Sequence, residues 1–394
     1  MASPGEKRRA DHAQSVPDHG RACIRRMAGP VHWKQMQPRS RPRWLPRLLT
    51  GLLLLVGVLA GLVYALTDHP KPVQAADLTC PASAPTLKAG QAVKVLNWNV
   101  QYLAGRGYVF FYDTLAGDGP DTRPSAESVA RTLDEVAAVI REENPDLILL
   151  QEVDRDSDRT GNADQLKLIQ DALGGAYPCA ATTYYHRATF VPHPQIMGRV
   201  GLSLSTLSRY RLDSATRYAL PRICGDPVTV AFNFKRAVLG VTLPVQGGER
   251  LTAYSTHMDA FAQGCDTMRR QVAAVQTLLD GTARPWVMGG DLNLLATRAA
   301  YDRLRPREQA YFNPDTELAP LLDRFEAFPS RAQVDSGDPA FITHYPNDPQ
   351  VGKPDRTIDY FVYSPGLTRR GERVRQDDPK ISDHYALVTT IQLP

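Results

Sequence analysis

The chain has 394 residues, of which 43% are apolar and 22% are charged, a mixture typical of globular proteins that excludes a wholly disordered chain. The net charge is +4, but residues 1–47 hold eleven Lys or Arg against three Asp or Glu, a local charge of +8, so the remainder carries −4. This mildly acidic remainder argues against wholesale electrostatic binding of DNA, which needs a basic face.

The N-terminal segment, residues 1–47, is basic and its first 40 residues are rich in Pro, Ser and Gln, which predicts disorder; Met27 and Met36 are alternative starts. Residues 48–67 follow with no charged side chain. As a helix, this run is long enough to cross a hydrocarbon core of about 30 Å. The positive-inside rule then predicts a cytoplasmic N-terminus and an extracytoplasmic remainder, because four arginines precede the run: Arg39, Arg41, Arg43 and Arg47.

A cleavable signal peptide is the alternative for this apolar run, with Val73-Gln74-Ala75 as a small-residue cleavage site. Signal peptides have apolar cores of about 7–15 residues, so the longer run favours an uncleaved transmembrane anchor. Arg outnumbers Lys by 37 to 9, which indicates a bacterium of high GC content and therefore the outer face of an inner membrane. The remaining alternative is an inverted topology with a cytoplasmic domain.

Five cysteines are present, and Cys23 falls on the predicted cytoplasmic side. An even number in an oxidising compartment permits two disulfides, in three pairings that the sequence leaves open; buried free thiols are the alternative. No cysteine has the spacing of a zinc site, so none is predicted. The cysteines on the predicted outer side are Cys80, Cys179, Cys224 and Cys265.

Residues 68–92 are rich in Pro and Ala and predict a linker that holds the domain off the membrane, with the folded domain at 93–394. Apolar periodicity predicts helices over 125–144 and 269–279. Strands buried on both faces with helices between them predict stacked sheets flanked by helices. The predicted strands are 94–100, 146–153, 200–208, 228–234, 237–245, 251–258, 285–293, 356–364 and 384–393.

Polar residues stand at the ends of several of these apolar runs. Hydrolysis of a phosphoester requires that charge on the phosphoryl and leaving oxygens be neutralised, which a hard divalent cation and imidazolium donors can do. Alone, each fragment is an ordinary strand end or turn; together they predict a metal-dependent phosphoester hydrolase. The fragments are VLNWNV, LILLQEVD, AYSTHMD, VMGGDLN, TIDYFVY and ISDHYALV, with Asn99, Glu152, His257, Asp291, Asn293, Asp359, Asp383 and His384.

This set of motifs resembles the endonuclease/exonuclease/phosphatase superfamily, which includes DNase-type nucleases, abasic-site endonucleases, neutral sphingomyelinases and inositol polyphosphate 5-phosphatases. The resemblance covers most of residues 93–394 and implies a four-layered α/β sandwich of two packed mixed sheets, with the site at the strand ends. It also implies a bound Mg²⁺, with Mn²⁺ as the alternative, held by Asn99, Glu152 and Asp383.

The resemblance also implies catalytic roles. Asp291 would orient and deprotonate the attacking water, and Asn293 would hold that water or the phosphate, with Gly289 and Gly290 turning the chain tightly before them. Asp359 would orient His384 and favour its charged form. The other histidine of these motifs, His257, would contact the phosphate or assist the leaving group.

Two further regions are open to both a functional and a structural interpretation. Arg199, in MGRVGLSLSTLSRY, would contact substrate phosphate or form a surface ion pair. The segment 297–356 interleaves arginines and aromatic residues that could grip an anionic substrate, although a solvated loop and helix face is favoured. Its residues of interest are Arg298, Arg303, Arg305, Arg307, Tyr301, Tyr311 and Phe312.

The sequence therefore predicts a membrane-anchored, extracytoplasmic, Mg²⁺-dependent phosphodiesterase. Substrates compatible with that location are lipid head groups and extracellular nucleic acid, whereas a domain outside the membrane does not meet the chromosome. No protein partner is indicated. The alternative from another class is a catalytically inactive relative that serves as a tethered binding module, which predicts losses among the site residues; all eight are present.

Overall fold

The structure is a computed structural model that describes residues 44–261 and 264–394. Most of the segment predicted to be disordered, residues 1–43, therefore lies outside the described residues. The chain divides into two compact units, 1–54 and Leu55–Pro394. Helix α1, Trp44–Leu66, belongs partly to each, and within the described part it is the one helix long and apolar enough to cross a membrane, with a mean hydropathy of 2.4 over Pro46–Leu66.

The second unit contains two seven-stranded mixed sheets. The strand order is β1-β7-β8-β9-β10-β12-β11 in one and β13-β14-β3-β4-β6-β5-β2 in the other. The strands are β1 Val73–Ala75, β2 Asp77–Thr79, β3 Ala92–Asn99, β4 Leu147–Asp154, β5 Cys179–Val191, β6 Gly198–Ser208, β7 Ser214–Ala219, β8 Ala237–Pro244, β9 Arg250–His257, β10 Trp286–Asp291, β11 Glu326–Phe328, β12 Asp359–Tyr363, β13 Thr368–Arg375 and β14 Ala386–Gln392.

Helices cover the outer faces of both sheets. Helices α2 and α3 pack on the sheet that contains β3 and β4, and α5, α6 and α8 pack on the sheet that contains β9 and β10. The predicted four-layered α/β sandwich is confirmed. The helices after α1 are α2 Ala126–Glu143, α3 Gln165–Ala172, α4 Pro227–Phe232, α5 Thr267–Asp280, α6 Arg298–Arg303, α7 Pro306–Gln309, α8 Ala319–Arg324 and α9 Arg331–Asp335.

The main hydrophobic core lies between the two sheets, where apolar side chains from both inner faces meet. Val95 and Leu149 from one sheet, and Val241 and Phe361 from the other, belong to a single buried cluster and are each fully buried. Central strands such as β4 are buried at nearly every position because both of their faces are covered, which explains why β4 begins with the continuous apolar run LILL and not with a polar alternation.

Helix α2 shows why the sequence predicted helices well. The Ser125 side chain accepts a hydrogen bond from the backbone N–H of Ser128, and Asn144 ends the helix in the left-handed conformation, with φ of 50°. These are an N-cap and a C-cap of the expected chemistry, and Pro145 follows. The apolar stripe of Val136, Val139 and Ile140 packs on the sheet.

The strand predicted over 228–234 is wrong. Residues Pro227–Phe232 form α4 instead, because Asp226 accepts hydrogen bonds from the backbone N–H groups of Val228 and Thr229. A capping carboxylate followed by proline at the first helical position favours a helix start. This local signal outweighs the β-propensity of the Val-Thr-Val run.

The predicted linker 68–92 also differs from the structure. Part of it, β1, pairs with β7, and another part, β2, pairs with β5, so this segment forms an edge strand of each sheet. Val73–Ala75, the alternative cleavage site, is itself β1. Unpaired backbone groups at a sheet edge are a ready template for another strand, and even short polar segments can satisfy them.

Two disulfides join the four cysteines, which leaves one of the three pairings. Cys80 is bonded to Cys179 at the start of β5, and Cys224 is bonded to Cys265, between the segment before α4 and the segment before α5. The first bond ties the β2 edge segment to the sheet. The second joins two loops, and both of its cysteines line a cleft at the ends of the central strands.

Candidate active site

The two sheets bring polar strand ends together at one edge of the core. Asn99 is the last residue of β3, His257 the last of β9 and Asp291 the last of β10. Asp291 lies opposite His257 in the parallel pair and opposite Asp359 in the antiparallel pair. Because these strands end at the same level, side chains distant in sequence meet there.

Gly289 and Gly290 lie inside β10, so their predicted role in a tight turn is wrong. A Cβ on Gly289 would come within 2.8 Å of Asn97 Oδ1, which belongs to the facing sheet, and one on Gly290 would lie 2.4 Å from the Thr256 carbonyl oxygen. The glycines allow the close approach that sets Asp291 between the sheets.

One oxygen of Asp291 is the meeting point of the site. Asp291 Oδ2 accepts a hydrogen bond of 3.1 Å from Asn99 Nδ2 and lies 3.3 Å from His257 Nε2 and 3.6 Å from His384 Nε2. Its other oxygen accepts from the Asn293 backbone N–H at 2.9 Å. Burial raises the pKa of Asp291 to about 7, against the opposing effect of His384. A carboxyl group with this pKa can accept a proton near neutral pH.

His384 is oriented by Asp359. The distance from His384 Nδ1 to Asp359 Oδ2 is 2.9 Å, and both side chains are buried. Burial alone would lower the pKa of His384, but Asp359 and then Asp291 raise it well above the ordinary value. The ring is therefore a charged donor with Nε2 directed toward Asp291.

His257 is neutral, in contrast to His384. Burial lowers its pKa well below the usual value, and Arg236 adds to this effect. The Tyr185 hydroxyl lies 3.2 Å from His257 Nδ1 and can donate to it, which places the ring proton on Nε2, toward Asp291. The site thus contains one neutral and one charged imidazole around a single carboxylate.

A cluster of three carboxylates, on Asp113, Glu152 and Asp383, lines the same cleft as Asp291 and the two histidines. Glu152 lies at a bulge in β4 with a left-handed φ of 55°, where its Oε1 accepts from Asn99 Nδ2 at 3.2 Å. Burial, followed by the negative charge of Asp383, raises the pKa of Glu152. The same two causes raise the pKa of Asp113 well above its ordinary value. Buried like charges at this density favour a bound cation, so the donor set fits a hard divalent ion.

Several side chains of the cleft were not predicted, among them Asp113, His344 and Arg236. Asp113 ends the short 3₁₀ helix Phe111–Asp113, with no motif around it. His344 lies with its Nε2 4.0 Å from Asp383 Oδ2 and its ring 4.5 Å from that of His384. Arg236 is paired through Nε with Asp259 at 3.0 Å, and among the described residues its buried Nη1 has no hydrogen-bond partner.

The catalytic cleft, defined by Glu152, His257, Asp291, Asp383 and His384, has a volume of about 530 Å³. Asn293 also lines it, with its side-chain amide donating to the Met258 carbonyl at 3.1 Å. Asn99 and Asp359 lie behind its wall and hold Asp291 and His384. The structure therefore brings together all eight predicted motif residues.

Arg199 lies apart from this group. Its guanidinium forms an ion pair of 2.7 Å with Asp156, and both side chains are about half exposed. In the segment 297–356, Arg298 is paired with Asp302 and Arg307 with Asp348, whereas Tyr311 and Phe312 line the catalytic cleft. Arg298 and Arg307 are thus occupied on the surface, whereas the buried Arg356 lines the cleft together with Tyr311 and Phe312.

The two-sheet sandwich with histidines and carboxylates at its strand ends defines a phosphoesterase-type hydrolase. The chain belongs to the Endonuclease/Exonuclease/phosphatase family, whose model matches residues 96–384. Members of this family are hydrolases that act on phosphoester bonds and generally use divalent metal ions. The predicted family membership is confirmed.

Three solved structures are similar to this chain, and the first of them supports the fold. An endonuclease/exonuclease/phosphatase from Beutenbergia cavernae is 22% identical, with 77% of this chain and 72% of that chain covered and a TM-score of 0.53. The human Nocturnin catalytic domain is 17% identical over 80% of this chain and 96% of that chain, with a TM-score of 0.47. A truncated TDP2 of Caenorhabditis elegans is 17% identical over 78% and 99%, with a TM-score of 0.45. No curated protein matches the chain.

Proposed function

We propose that this protein is a membrane-anchored, extracytoplasmic, Mg²⁺-dependent phosphodiesterase that acts on lipid head groups or extracellular nucleic acid. The observation that carries the proposal is the convergence of His257 and His384 on one oxygen of Asp291, beside the carboxylates of Glu152 and Asp383. This arrangement supports a proton acceptor, two donors and a cation-binding set that share one cleft of about 530 Å³.

In this proposal, Glu152 and Asp383 are the carboxylate ligands of the metal, and Asn99 assists by donating from Nδ2 to Glu152 Oε1 at 3.2 Å. When bound, Mg²⁺ supplies charge neutralisation at the phosphoryl and leaving oxygens. Mn²⁺ suits the same oxygen donors. His344 lies 4.0 Å from Asp383 Oδ2 and limits the directions in which that carboxylate can turn.

The remaining residues orient the reactants. Asp291 accepts the proton of the attacking water, and Asn293 positions that water or a phosphoryl oxygen. His384, held by Asp359, donates to the phosphoryl group as its charge increases. His257 donates through Nε2, which Tyr185 fixes as the protonated nitrogen, and Arg236 Nη1 supplies a further donor for an anion.

A direct test uses the full chain in detergent with bis(p-nitrophenyl) phosphate, with and without EDTA. We expect hydrolysis that is lost in EDTA and restored by Mg²⁺. Glu152→Gln should weaken Mg²⁺ binding at least about tenfold, because it removes a charged ligand. Glu326→Gln, which changes a carboxylate 73% exposed on the surface, is the matched control and should behave like the native protein.

Hydrolysis that persists in EDTA, or equal metal affinity in Glu152→Gln, would contradict the metal assignment. A folded protein without turnover of this substrate would instead favour the tethered binding module.

The membrane location rests on separate observations. Helix α1 has the length and hydropathy of a membrane span, and the four cysteines after it form two disulfides, which suits an oxidising compartment such as the outer side of a bacterial inner membrane. A phosphatase reporter fused after Pro394 should be active only through export, whereas a fluorescent reporter that folds only in the cytoplasm should be dark. The reverse pattern would establish an inverted topology.

A further inference from the structure

A second cleft, here the apolar cleft, adjoins the catalytic cleft. Its volume is about 460 Å³, within the range of about 300–1,000 Å³ typical of ligand sites. Aliphatic and aromatic side chains form much of its wall. The residues that define it are Phe111, Val191, Ile196, Val200, Val228 and Phe232, from an irregular segment, the β5–β6 hairpin and α4.

The two clefts adjoin each other. Tyr112, Glu152, Asn233 and Phe234 line both of them. Glu152 therefore stands at the boundary, with the proposed metal and phosphoryl site on one side and apolar walls on the other. A substituent of a ligand whose phosphoryl group lies at Asp291 would pass Glu152 to reach the apolar cleft.

The rim of the apolar cleft exposes large apolar side chains. Val228 at the start of α4 is 54% exposed, and Met197, which follows Ile196 at the tip of the β5–β6 hairpin, is 56% exposed. Exposed apolar residues that border a cleft are typical of a surface that meets an apolar partner.

The residues that follow α1 contact the hairpin that forms this rim. Thr67 forms a β-bridge with Ala188, and the Asp68 backbone N–H donates to the Arg187 carbonyl at 3.3 Å. Val191, a wall residue of the apolar cleft, follows three positions after Ala188 on β5. If α1 crosses a membrane, as proposed above, the start of this wall lies close to the lipid surface.

We propose that the apolar cleft binds the hydrocarbon chain of a membrane phospholipid whose phosphodiester lies in the catalytic cleft. The inference rests on the proposed function and chooses lipid over nucleic acid as its substrate. The predominantly apolar wall, which also includes the charged Asp158, Arg159 and Arg199, matches a hydrocarbon chain better than the polar edge of a nucleobase. The Phe111 ring, which could stack on a base, is already stacked on His193 at 5.0 Å.

The test measures hydrolysis of p-nitrophenyl alkyl phosphodiesters, from methyl to octyl, below their micelle concentrations. The full chain is held in an amphipathic polymer, so that no detergent competes for the cleft. We expect kcat/KM to rise by up to about fourfold for each added methylene until the cleft is filled. In Ile196→Glu/Val228→Glu this dependence on chain length should be lost, because each extra methylene then meets a charged wall.

Val73→Glu is the matched control, because Val73 is 59% exposed on β1, at the edge of the other sheet, and lines neither cleft. It should keep the native dependence on chain length. A flat chain-length profile in the native protein would overturn the inference. A thymidine p-nitrophenyl phosphodiester cleaved faster than the octyl ester would also overturn it and would identify nucleic acid as the substrate.

The binding of alkyl phosphates tests the hydrocarbon site independently of catalysis. Calorimetry with butyl, hexyl and octyl phosphate needs no turnover, so it decides the matter even if no ester is hydrolysed. Affinity that increases with chain length in the native protein, but not in Ile196→Glu/Val228→Glu, supports the apolar cleft as a hydrocarbon site. Affinity independent of chain length refutes it, whatever the catalytic result.

Discussion

Asp291→Asn should lower kcat for bis(p-nitrophenyl) phosphate by about 10²–10⁴-fold, the loss typical of removing a general base. The amide has nearly the shape of the carboxylate, but it keeps only one acceptor oxygen, so it can accept from Asn99 Nδ2 or from the Asn293 backbone N–H but not from both. It cannot accept the proton of the attacking water. Steady-state kinetics with saturating Mg²⁺ will measure the loss, and KM should change much less than kcat.

Asp302→Asn is the control for this experiment, since Asp302 forms an exposed pair with Arg298 away from the site. Asp302→Asn should unfold at a temperature close to that of the native protein, whereas Asp291→Asn should unfold at a lower temperature, because one buried N–H group loses its acceptor. A thermal melt by circular dichroism will check that both variants are folded at the assay temperature. An Asp291→Asn enzyme with native kcat would show that another group takes the proton and would refute the role proposed for Asp291.

His384→Gln should lower kcat by about 10²–10³-fold, the usual effect of losing one preorganised donor to a developing negative charge. Glutamine can donate a hydrogen bond but carries no positive charge, and Asp359 would be left buried with no cationic partner. Because the interaction strengthens as charge develops, kcat should decrease more than substrate affinity.

His344→Gln provides the internal comparison for this prediction. His344 lies in the same cleft, but burial lowers the pKa of its imidazole well below the ordinary value, and its nearest carboxylate oxygen, on Asp383, is 4.0 Å away. A neutral ring stabilises the transition state less than an imidazolium, so this variant should lose less than about tenfold in kcat. Equal losses in the two variants would contradict the assignment of His384 as the charged donor.

The two histidines differ in charge, and therefore in role, because their pKa values are shifted in opposite directions. Two imidazoles approach the same Asp291 oxygen, but their surroundings give them different charges. Burial, followed by Arg236, lowers the pKa of His257, whereas the Asp359 carboxylate raises the pKa of His384 against the effect of burial. Pairs of titratable groups whose surroundings push their pKa values apart are typical of acid–base sites. The mechanism therefore depends on neighbours as much as on the catalytic residues.

The sequence by itself determined the family, the layered fold and the eight motif residues. Each of these residues lies in or next to a largely buried strand, so its position relative to the sheet edge is encoded by a short local apolar run. Helices α2 and α5 were predictable for a similar reason, because their apolar stripes and, in α2, the capping residues lie within one segment.

The tertiary structure alone decided features that join distant segments. The disulfide pairing, the edge strands formed by residues 73–79 and the places of Asp113, Arg236 and His344 in the cleft depend on contacts between separate elements. No local periodicity marks such residues. The apolar cleft is the clearest case, because its walls come from three segments that are apolar only in part and become one surface only when the hairpin, α4 and residue 111 meet.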